Sequence, residues 1–167
     1  MQVVVDDTVA IYVNDDRPIA EPHYQARFYF DPNSISMVDG LDFYIFNGYD
    51  TASVLQVQFG FSAGNYRIRV RQQNDANGTT STAWVTITDA LHVIEIEWQA
   101  ATAVGANNGI AMLWIDGVQS GSLSGLDNDI RRIEYVRLGA VSGLNAGTLG
   151  TYYLDAFESR RQTYIGP

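Results

Sequence analysis

The chain has 167 residues, a formal net charge of −9 and no cysteine. This length predicts one domain over residues 1–167, and the acidic balance argues against nucleic acid or an anionic membrane surface as a partner. The lack of cysteine excludes disulfides and thiol chemistry, and no apolar run approaches the roughly 20 residues of a membrane span. The first five residues are too short and uncharged for a signal peptide, and we expect them to form a strand of a domain within a longer chain.

Short runs with apolar alternation recur along the whole chain, separated by turn clusters of Gly, Asn and Asp, and none has a convincing helical period. Many short strands with such turns are typical of a sandwich or jelly roll. We therefore predict an all-β, two-sheet antiparallel β-sandwich. The predicted strands are Gln2–Val5, Val9–Val13, Tyr24–Phe30, Phe43–Phe46, Val54–Phe61, Asn65–Gln72, Ala83–Thr88, Leu91–Gln99, Ile110–Ile115, Val118–Leu123, Ile133–Ala140 and Thr151–Ser159.

The clearest predicted hairpin is Val54–Gln72, which has one apolar face. Its opposite face carries three arginines at two-residue spacing: Arg67, Arg69 and Arg71. If the strand Leu91–Gln99 lies on the same sheet, Glu95 and Glu97 would offset this arginine ladder. A solvated sheet face is favoured over an anion site as the interpretation of the ladder.

The stretch Leu91–Gly117 predicts a half-buried strand, a polar loop and a second hairpin. Its first strand alternates so that Ile94, Ile96 and Trp98 share one face. Further along, Asp116-Gly117 lies between two apolar runs, which is a strong signal for a two-residue type I′ turn, since that turn needs two positive φ angles.

These residues resemble a known family. The pattern His92-x-x-x-Ile96-x-Trp98, followed by Leu113-Trp114-Ile115-Asp116-Gly117, resembles the paired signature of laminin-G-like, concanavalin A-like jelly-roll domains. The stretches Leu138–Ala140 and Gly150–Phe157 are similar to a later region of the same family. One departure is the family's Trp-His pair, which is Leu91-His92 here. The chain is also similar to accessory jelly-roll domains at the ends of large bacterial surface proteins.

The resemblance implies a sandwich whose relatives bind glycans or protein partners, often through one calcium ion. We therefore predict a non-catalytic, accessory binding module of an exported or cell-surface bacterial protein, with carbohydrate as its ligand. The alternative is a structural or protein-interaction domain that spaces, caps or anchors a larger surface protein. Glycoside hydrolysis is a third function, because some related jelly rolls are glucanases.

Asp155 is the residue that points most directly to a metal. Its alternation with Tyr153 and Phe157 predicts a core-facing side chain, and a buried carboxylate must be paired, hydrogen-bonded or bound to metal. In related glucanases a carboxylate on the last strand helps to hold a structural calcium, so the resemblance implies a calcium site at Asp155 with Asp6 or Asp7. The alternative is that Asp155 accepts backbone hydrogen bonds or pairs with an arginine.

Sugars stack on exposed aromatic rings, so Trp114 and Tyr44 are predicted ligand-binding residues. Trp114 has the opposite parity to its inward-facing neighbours, which places it on a surface or under a loop. Glu95 and Glu97 share a strand face and could lie within the roughly 5–5.5 Å that a retaining glycosidase needs between its two carboxyl groups. They complete the predicted ligand set. The third acidic position of the glucanase pattern is missing, which argues against catalysis. Asp127-Asn128-Asp129 resembles part of a calcium loop, but a polar turn is favoured.

Overall fold

The computed structural model describes residues 1–166, which form strands, turns and loops without a helix. In this part of the chain, therefore, no helix is long and apolar enough to cross a membrane. The strands are β1 (Gln2–Val5), β2 (Ile11–Asp15), β3 (His23–Asp31), β4 (Asp42–Tyr49), β5 (Ser53–Ser62), β6 (Asn65–Gln73), β7 (Thr79–Ser81), β8 (Val85–Ile87), β9 (His92–Gln99), β10 (Gly109–Ile115), β11 (Val118–Leu126), β12 (Tyr135–Ser142) and β13 (Gly150–Arg160).

The strands form two antiparallel sheets that pack face to face. A six-stranded sheet has the order β1-β13-β3-β9-β10-β11, and a seven-stranded sheet has the order β2-β12-β4-β5-β6-β7, with β8 also paired to β6. The predicted all-β, two-sheet antiparallel sandwich is confirmed. In both sheets strands distant in sequence lie side by side, as β13 does between β1 and β3.

The two predicted hairpins are both present, and their turn residues have the required backbone conformation. β10 and β11 are joined by Asp116 (φ 53°) and Gly117 (φ 77°). β5 and β6 are joined by Ala63 (φ 51°) and Gly64 (φ 79°). Both pairs have the two left-handed residues of a type I′ turn, whose twist matches that of the flanking strands.

The core lies between the sheets and consists of the inward-facing residues of every long strand. Across the sandwich, the ring of Phe30 on β3 meets that of Phe59 on β5 edge-on, with centroids 4.8 Å apart. Trp98 of β9 is fully buried in the same layer. Each such side chain contributes about 1.5–3 kcal/mol through burial, so the alternating apolar residues determine which strand faces point inward.

One prediction about strand placement is wrong, and one condition set by the sequence is not met. Asp155 is exposed, because Tyr152 and Leu154 are the core-facing residues of β13. The strand also bulges just after Asp155, where Ala156 has a φ of 47° and the pairing with β3 shifts. In addition, β9 belongs to the six-stranded sheet, so its glutamates do not lie beside the arginine ladder of β6.

One strand is absent from the prediction. Thr79–Ser81 forms β7, and its Thr-Thr-Ser sequence has no apolar alternation to reveal it. It pairs with β6 opposite Arg71–Gln73 and closes that edge of the seven-stranded sheet.

Candidate ligand-binding face

Polar side chains form continuous rows across the outer side of the seven-stranded sheet. In one row Arg137 of β12 faces Asn47 of β4, which faces Gln56 of β5, which faces Arg71 of β6. The next row runs from Tyr44 through Gln58 to Arg69. We name this surface the arginine face, and it comprises Tyr44, Asn47, Gln56, Gln58, Arg67, Arg69, Arg71, Trp84 and Arg137.

Hydrogen bonds within the rows fix these side chains in place. Arg69 Nε donates to Gln58 Oε1 at 2.6 Å, and Gln58 Nε2 donates to Asp42 Oδ1 at 2.8 Å. Arg71 Nη1 donates to the hydroxyl of Tyr44 at 2.6 Å. Gln56 Nε2 donates to Asn47 Oδ1 at 3.3 Å. The amides of Asn47, Gln56 and Gln58 are buried, and they help to order the half-buried hydroxyl and guanidinium groups that the face presents. This order lowers the entropy lost on binding a polar ligand.

Trp84 lies on this face because β5 has a glycine beneath it. A Cβ atom at Gly60 would approach the Trp84 ring to 3.1 Å and the Cβ of Asp42 to 3.0 Å. The guanidinium carbons of Arg67 and Arg69 each lie 4.3 Å from the centroid of the Trp84 ring. A cation at this distance is attracted to the ring, so Trp84 holds both arginines over the sheet.

The arginine face is basic, although the chain as a whole is acidic. It holds four of the chain's arginines, and the carboxylate within its hydrogen-bond network is Asp42. Burial lowers the pKa of the Arg69 guanidinium, and the charges of Arg71 and Arg67 lower it further against the opposing charge of Asp42. The face is thus a site where positive charges repel one another.

The four predicted ligand-binding residues do not form one site. Tyr44 belongs to the arginine face, where it is half-buried and bonded to Arg71. Trp114, Glu95 and Glu97 lie on the outer side of the other sheet, where β9 and β10 are neighbours and Trp114 faces Glu95 in the register. Since the sandwich separates the two outer faces, a single small ligand cannot contact both sets.

The C-terminal segment 161–166 covers the outer side of the six-stranded sheet. Glu95 is 2% exposed and accepts hydrogen bonds from the backbone N–H groups of Ile165 at 2.9 Å and Gly166 at 3.2 Å. The ring of Tyr164 lies 5.4 Å from that of Trp114. The Glu97 carboxylate lies 2.8 Å from His23 Nε2. Glu95 and Glu97 therefore do not face the open cleft that a pair of glycosidase carboxylates requires.

The predicted calcium ligands lie at opposite ends of one strand pair. In the register of β1 and β13, Val5 faces Gly150 and Gln2 faces Tyr153. Asp6 and Asp7 follow the Gly150 end, whereas Asp155 lies past the other end, roughly 16 Å along the strand. A calcium ion contacts its oxygen ligands at about 2.4 Å, so one ion cannot bind Asp155 together with Asp6.

Within residues 1–166, the group of three carboxylates close enough to share a metal is Asp75, Asp127 and Asp129, whose ligand atoms lie within 4.8 Å of one another. Asp75 Oδ1 is buried without a hydrogen-bond partner in this part of the chain, and the nearest cation is Arg131 Nε at 3.9 Å. Burial raises the pKa of the Asp75 carboxyl, and Asp129 and Asp127 raise it further, although a hydrogen bond from the Ile130 backbone lowers it.

An apolar cleft of about 260 Å³ opens between β13 and β2, the edge strand of the other sheet. Val13 at its mouth is 53% exposed, and the neighbouring Ile11 and Val9 are also exposed. The lining residues are Met1, Val13, Leu138, Leu154, Asp155, Ala156 and Phe157. Asp155 is thus part of the rim of an apolar cleft.

No protein-family model matches the sequence, and none of the curated proteins matches it. Among solved structures, the chain is similar to the binding domain of Paraclostridial Mosquitocidal Protein 1, with a TM-score of 0.64 and 13% identity over 98% of this chain and 40% of that one. It is similar to the binding domain of botulinum neurotoxin serotype D, with a TM-score of 0.62 and 12% identity over 96% of this chain and 38% of that one. It is also similar to the receptor-binding domain of botulinum neurotoxin type G, with a TM-score of 0.57 and 14% identity over 84% of this chain and 34% of that one.

These likenesses show a shared β-sandwich fold. The chain spans about a third of the length of the neurotoxin domains, and the sequence identities are too low to transfer a ligand or a site residue. The narrower laminin-G-like, concanavalin A-like assignment stays a prediction.

The sequence contained the main signal for the arginine face, although the aromatic prediction centred on Trp114. The alternate residues of the β5–β6 hairpin that point away from the core are the glutamines and the three arginines of the ladder. The sequence could not reveal that Trp84 packs against the arginines of this hairpin or that β4 and β12 extend the rows of polar side chains. These two features depend on contacts between strands that are distant in sequence.

Proposed function

We propose that the chain is a non-catalytic carbohydrate-binding module of an exported or cell-surface protein, and that the arginine face is its ligand surface. The observation that carries the proposal is the row of half-buried guanidiniums beside aromatic rings on one sheet face, with Arg69 and Arg71 next to Tyr44 and Trp84. The buried amides of Asn47, Gln56 and Gln58 lie beneath this row. Sugar hydroxyls are bound by guanidinium and phenol groups, and the apolar faces of sugar rings stack on aromatic side chains.

The fold likeness is in keeping with this proposal, since the similar structures are binding domains of toxins. The covering of Glu95 by segment 161–166 argues against glycoside hydrolysis, the third predicted function. An accessory module that binds a glycan would hold its parent protein at a cell or matrix surface. The resemblance to laminin-G-like domains supports the same role.

A glycan array tests the function, with wild type, Tyr44→Ala and Trp114→Ala compared in calcium and in chelator. Both substitutions remove one half-buried aromatic ring from an outer sheet face, so each controls for the other. We expect saturable binding by wild type and Trp114→Ala and its loss in Tyr44→Ala. Loss in Trp114→Ala alone would place the ligand on the six-stranded sheet, and a blank array for folded wild type would reject carbohydrate binding.

A structural calcium ion is the second part of the proposal, and Asp75, Asp127 and Asp129 are the residues that would hold it. The cluster suits a divalent cation because it supplies hard oxygen ligands and because Asp75 Oδ1 has no hydrogen-bond partner among the described residues. Burial raises the pKa of the Asp75 carboxyl, and the charges of Asp129 and Asp127 raise it further. A bound ion would tie the β6–β7 loop to the loop between β11 and β12.

The alternative function, a protein-interaction or spacer domain, is favoured by the apolar cleft beside β2. Unpaired edge strands with exposed apolar residues are sites of protein association. Val13→Asp would disrupt such a surface without altering the core, and Val118→Asp is a matched control at an exposed position of β11. If the cleft mediates self-association, sedimentation velocity will show a wild-type oligomer that Val13→Asp dissociates. A monomer at high concentration would remove this form of the alternative.

A further inference from the structure

We propose that the ligand is an acidic glycan, a sugar chain with carboxylate or sulfate groups, bound through the guanidiniums of Arg67, Arg69 and Arg71. This inference rests on the proposed function and specifies the chemical class of its ligand.

The first support is that the charges of the arginine face are unpaired. Among the described residues, no carboxylate oxygen lies within 4.0 Å of a guanidinium nitrogen of Arg67, Arg69, Arg71 or Arg137. By contrast, Arg131 and Arg161 each have a carboxylate partner. A protein with a net charge of −9 has carboxylates to spare, yet the carboxylate in this network is Asp42, which reaches Arg69 only through Gln58.

The second support is the position of the guanidiniums. Because Arg67, Arg69 and Arg71 alternate along β6, neighbouring Cα atoms are separated by roughly 6.6 Å on one face. The Nε atoms of Arg67 and Arg71 are buried without hydrogen-bond partners in the described residues. An anion over the row would offset the mutual repulsion of the three guanidiniums. It would also accept charge-assisted hydrogen bonds from their Nη groups, which are about twice as strong as neutral ones.

The neutral groups beside the arginines favour a sugar over a simple anion. Gln58 stands opposite Arg69 in the register, and Tyr44 stands opposite Gln58 on the next strand. The hydroxyl of Tyr44 contacts Arg71, and the ring of Trp84 contacts Arg69. The half-buried phenol of Tyr44 supplies a donor and an acceptor, and the half-buried ring of Trp84 supplies an apolar face. Sulfate or phosphate alone needs neither, whereas a sugar uses both. A long nucleic acid is disfavoured since the rest of the acidic surface would repel it.

The test compares matched acidic and neutral sugars by isothermal titration calorimetry. One pair is a sulfated heparin hexasaccharide and its fully desulfated, N-acetylated and carboxyl-reduced form, which carries no charge, and the other is an oligogalacturonate and its methyl ester. Wild type is compared with Arg69→Gln and Arg71→Gln, and with Arg160→Gln as control. Arg160 is exposed on β13 of the opposite sheet, so its substitution makes the same change in net charge away from the face.

We expect an acidic sugar to bind at least tenfold more tightly than its neutral counterpart, with affinity falling as salt rises. Arg69→Gln and Arg71→Gln should each lower that affinity about tenfold or more, while Arg160→Gln leaves it unchanged. Equal binding of acidic and neutral sugars would overturn this inference and leave the proposed function standing. Binding of neither type would reject both, and competition by inorganic sulfate as strong as by the sugar would reject the glycan.

Discussion

The carboxylate of Glu95 accepts a hydrogen bond from the backbone N–H of Ile165 at 2.9 Å. A residue whose alternation suggested a ligand-facing acid is instead the anchor of the C-terminal segment. Arg27 faces Glu95 across β3 and β9, and its guanidinium donates to the carbonyl of Gly166. Gly166 of this segment therefore contacts both Glu95 of β9 and Arg27 of β3, through its N–H and its carbonyl respectively.

Glu95→Ala is therefore expected to destabilise the protein and to release this segment. The substitution leaves two backbone N–H groups without their acceptor, at a cost of about 1–3 kcal/mol in the free energy of unfolding. Glu95→Gln keeps an acceptor oxygen and should cost less. Urea unfolding gives the stability, and hydrogen exchange at Ile165 and Gly166 reports release directly.

Glu97→Gln is the control for this prediction, because Glu97 lies on the same strand face but interacts with His23. It should leave exchange at Ile165 and Gly166 unchanged. Unaltered exchange in Glu95→Ala would show that the segment is held by other contacts. Hydrolysis of a glucan by wild type, lost in Glu95→Gln, would restore the enzyme hypothesis.

The sequence predicted the strands well because most of them alternate clearly, but it predicted the site poorly for a physical reason. β13 has an aromatic residue in each parity, Tyr152 and Tyr153, so the pattern could not say which one faces the core. The assignment of strands to sheets depends on long-range pairing, which local alternation does not encode. Hence Glu95 and the arginine ladder could be located on strands but not relative to each other.

Trp84→Ala is expected to weaken glycan binding by about tenfold, since losing the ring frees two guanidiniums that cation–π contacts hold in place. Trp84→Phe retains an aromatic face and should weaken binding less. Affinity measured by titration with the sugar that wild type binds checks both. Trp114→Ala, at a ring in contact with Tyr164 on the other sheet, serves as the comparison and should bind as wild type does. Equal affinities for Trp84→Ala and wild type would remove Trp84 from the site.

Asp75 should make stability depend on pH in chelator. Its folded-state pKa is raised above the ordinary value of 3.8, so the folded protein resists ionisation of this group. Below pH 3.8 the carboxyl is protonated in folded and unfolded chains alike and carries no penalty. As pH rises through the raised pKa, the unfolded chain ionises more readily and the folded state loses stability.

Asp75→Asn removes this dependence. Its free energy of unfolding should exceed that of wild type near pH 7, and the difference should disappear as pH falls below 3.8. Urea unfolding of both proteins at a series of pH values measures it. Asp39→Asn, an exposed carboxylate outside the cluster, should show no such difference. A constant offset between Asp75→Asn and wild type across the series would contradict the prediction.

Calcium is expected to reverse the penalty at the same cluster. An ion that binds only the folded state stabilises it by about 2.7 kcal/mol at a hundred times its Kd, and a chain of this size gains roughly 2–4 °C in Tm per kcal/mol. Thermal melts in calcium, magnesium and chelator should therefore show a calcium-specific rise in Tm for wild type that Asp129→Asn abolishes.

Asp155→Asn is the decisive comparison, because the family resemblance implied an ion there whereas the register separates that residue from Asp6. It should retain the rise. Loss of the response in Asp155→Asn alone would return the site to β13, and an unresponsive wild type would show that calcium is not part of this fold.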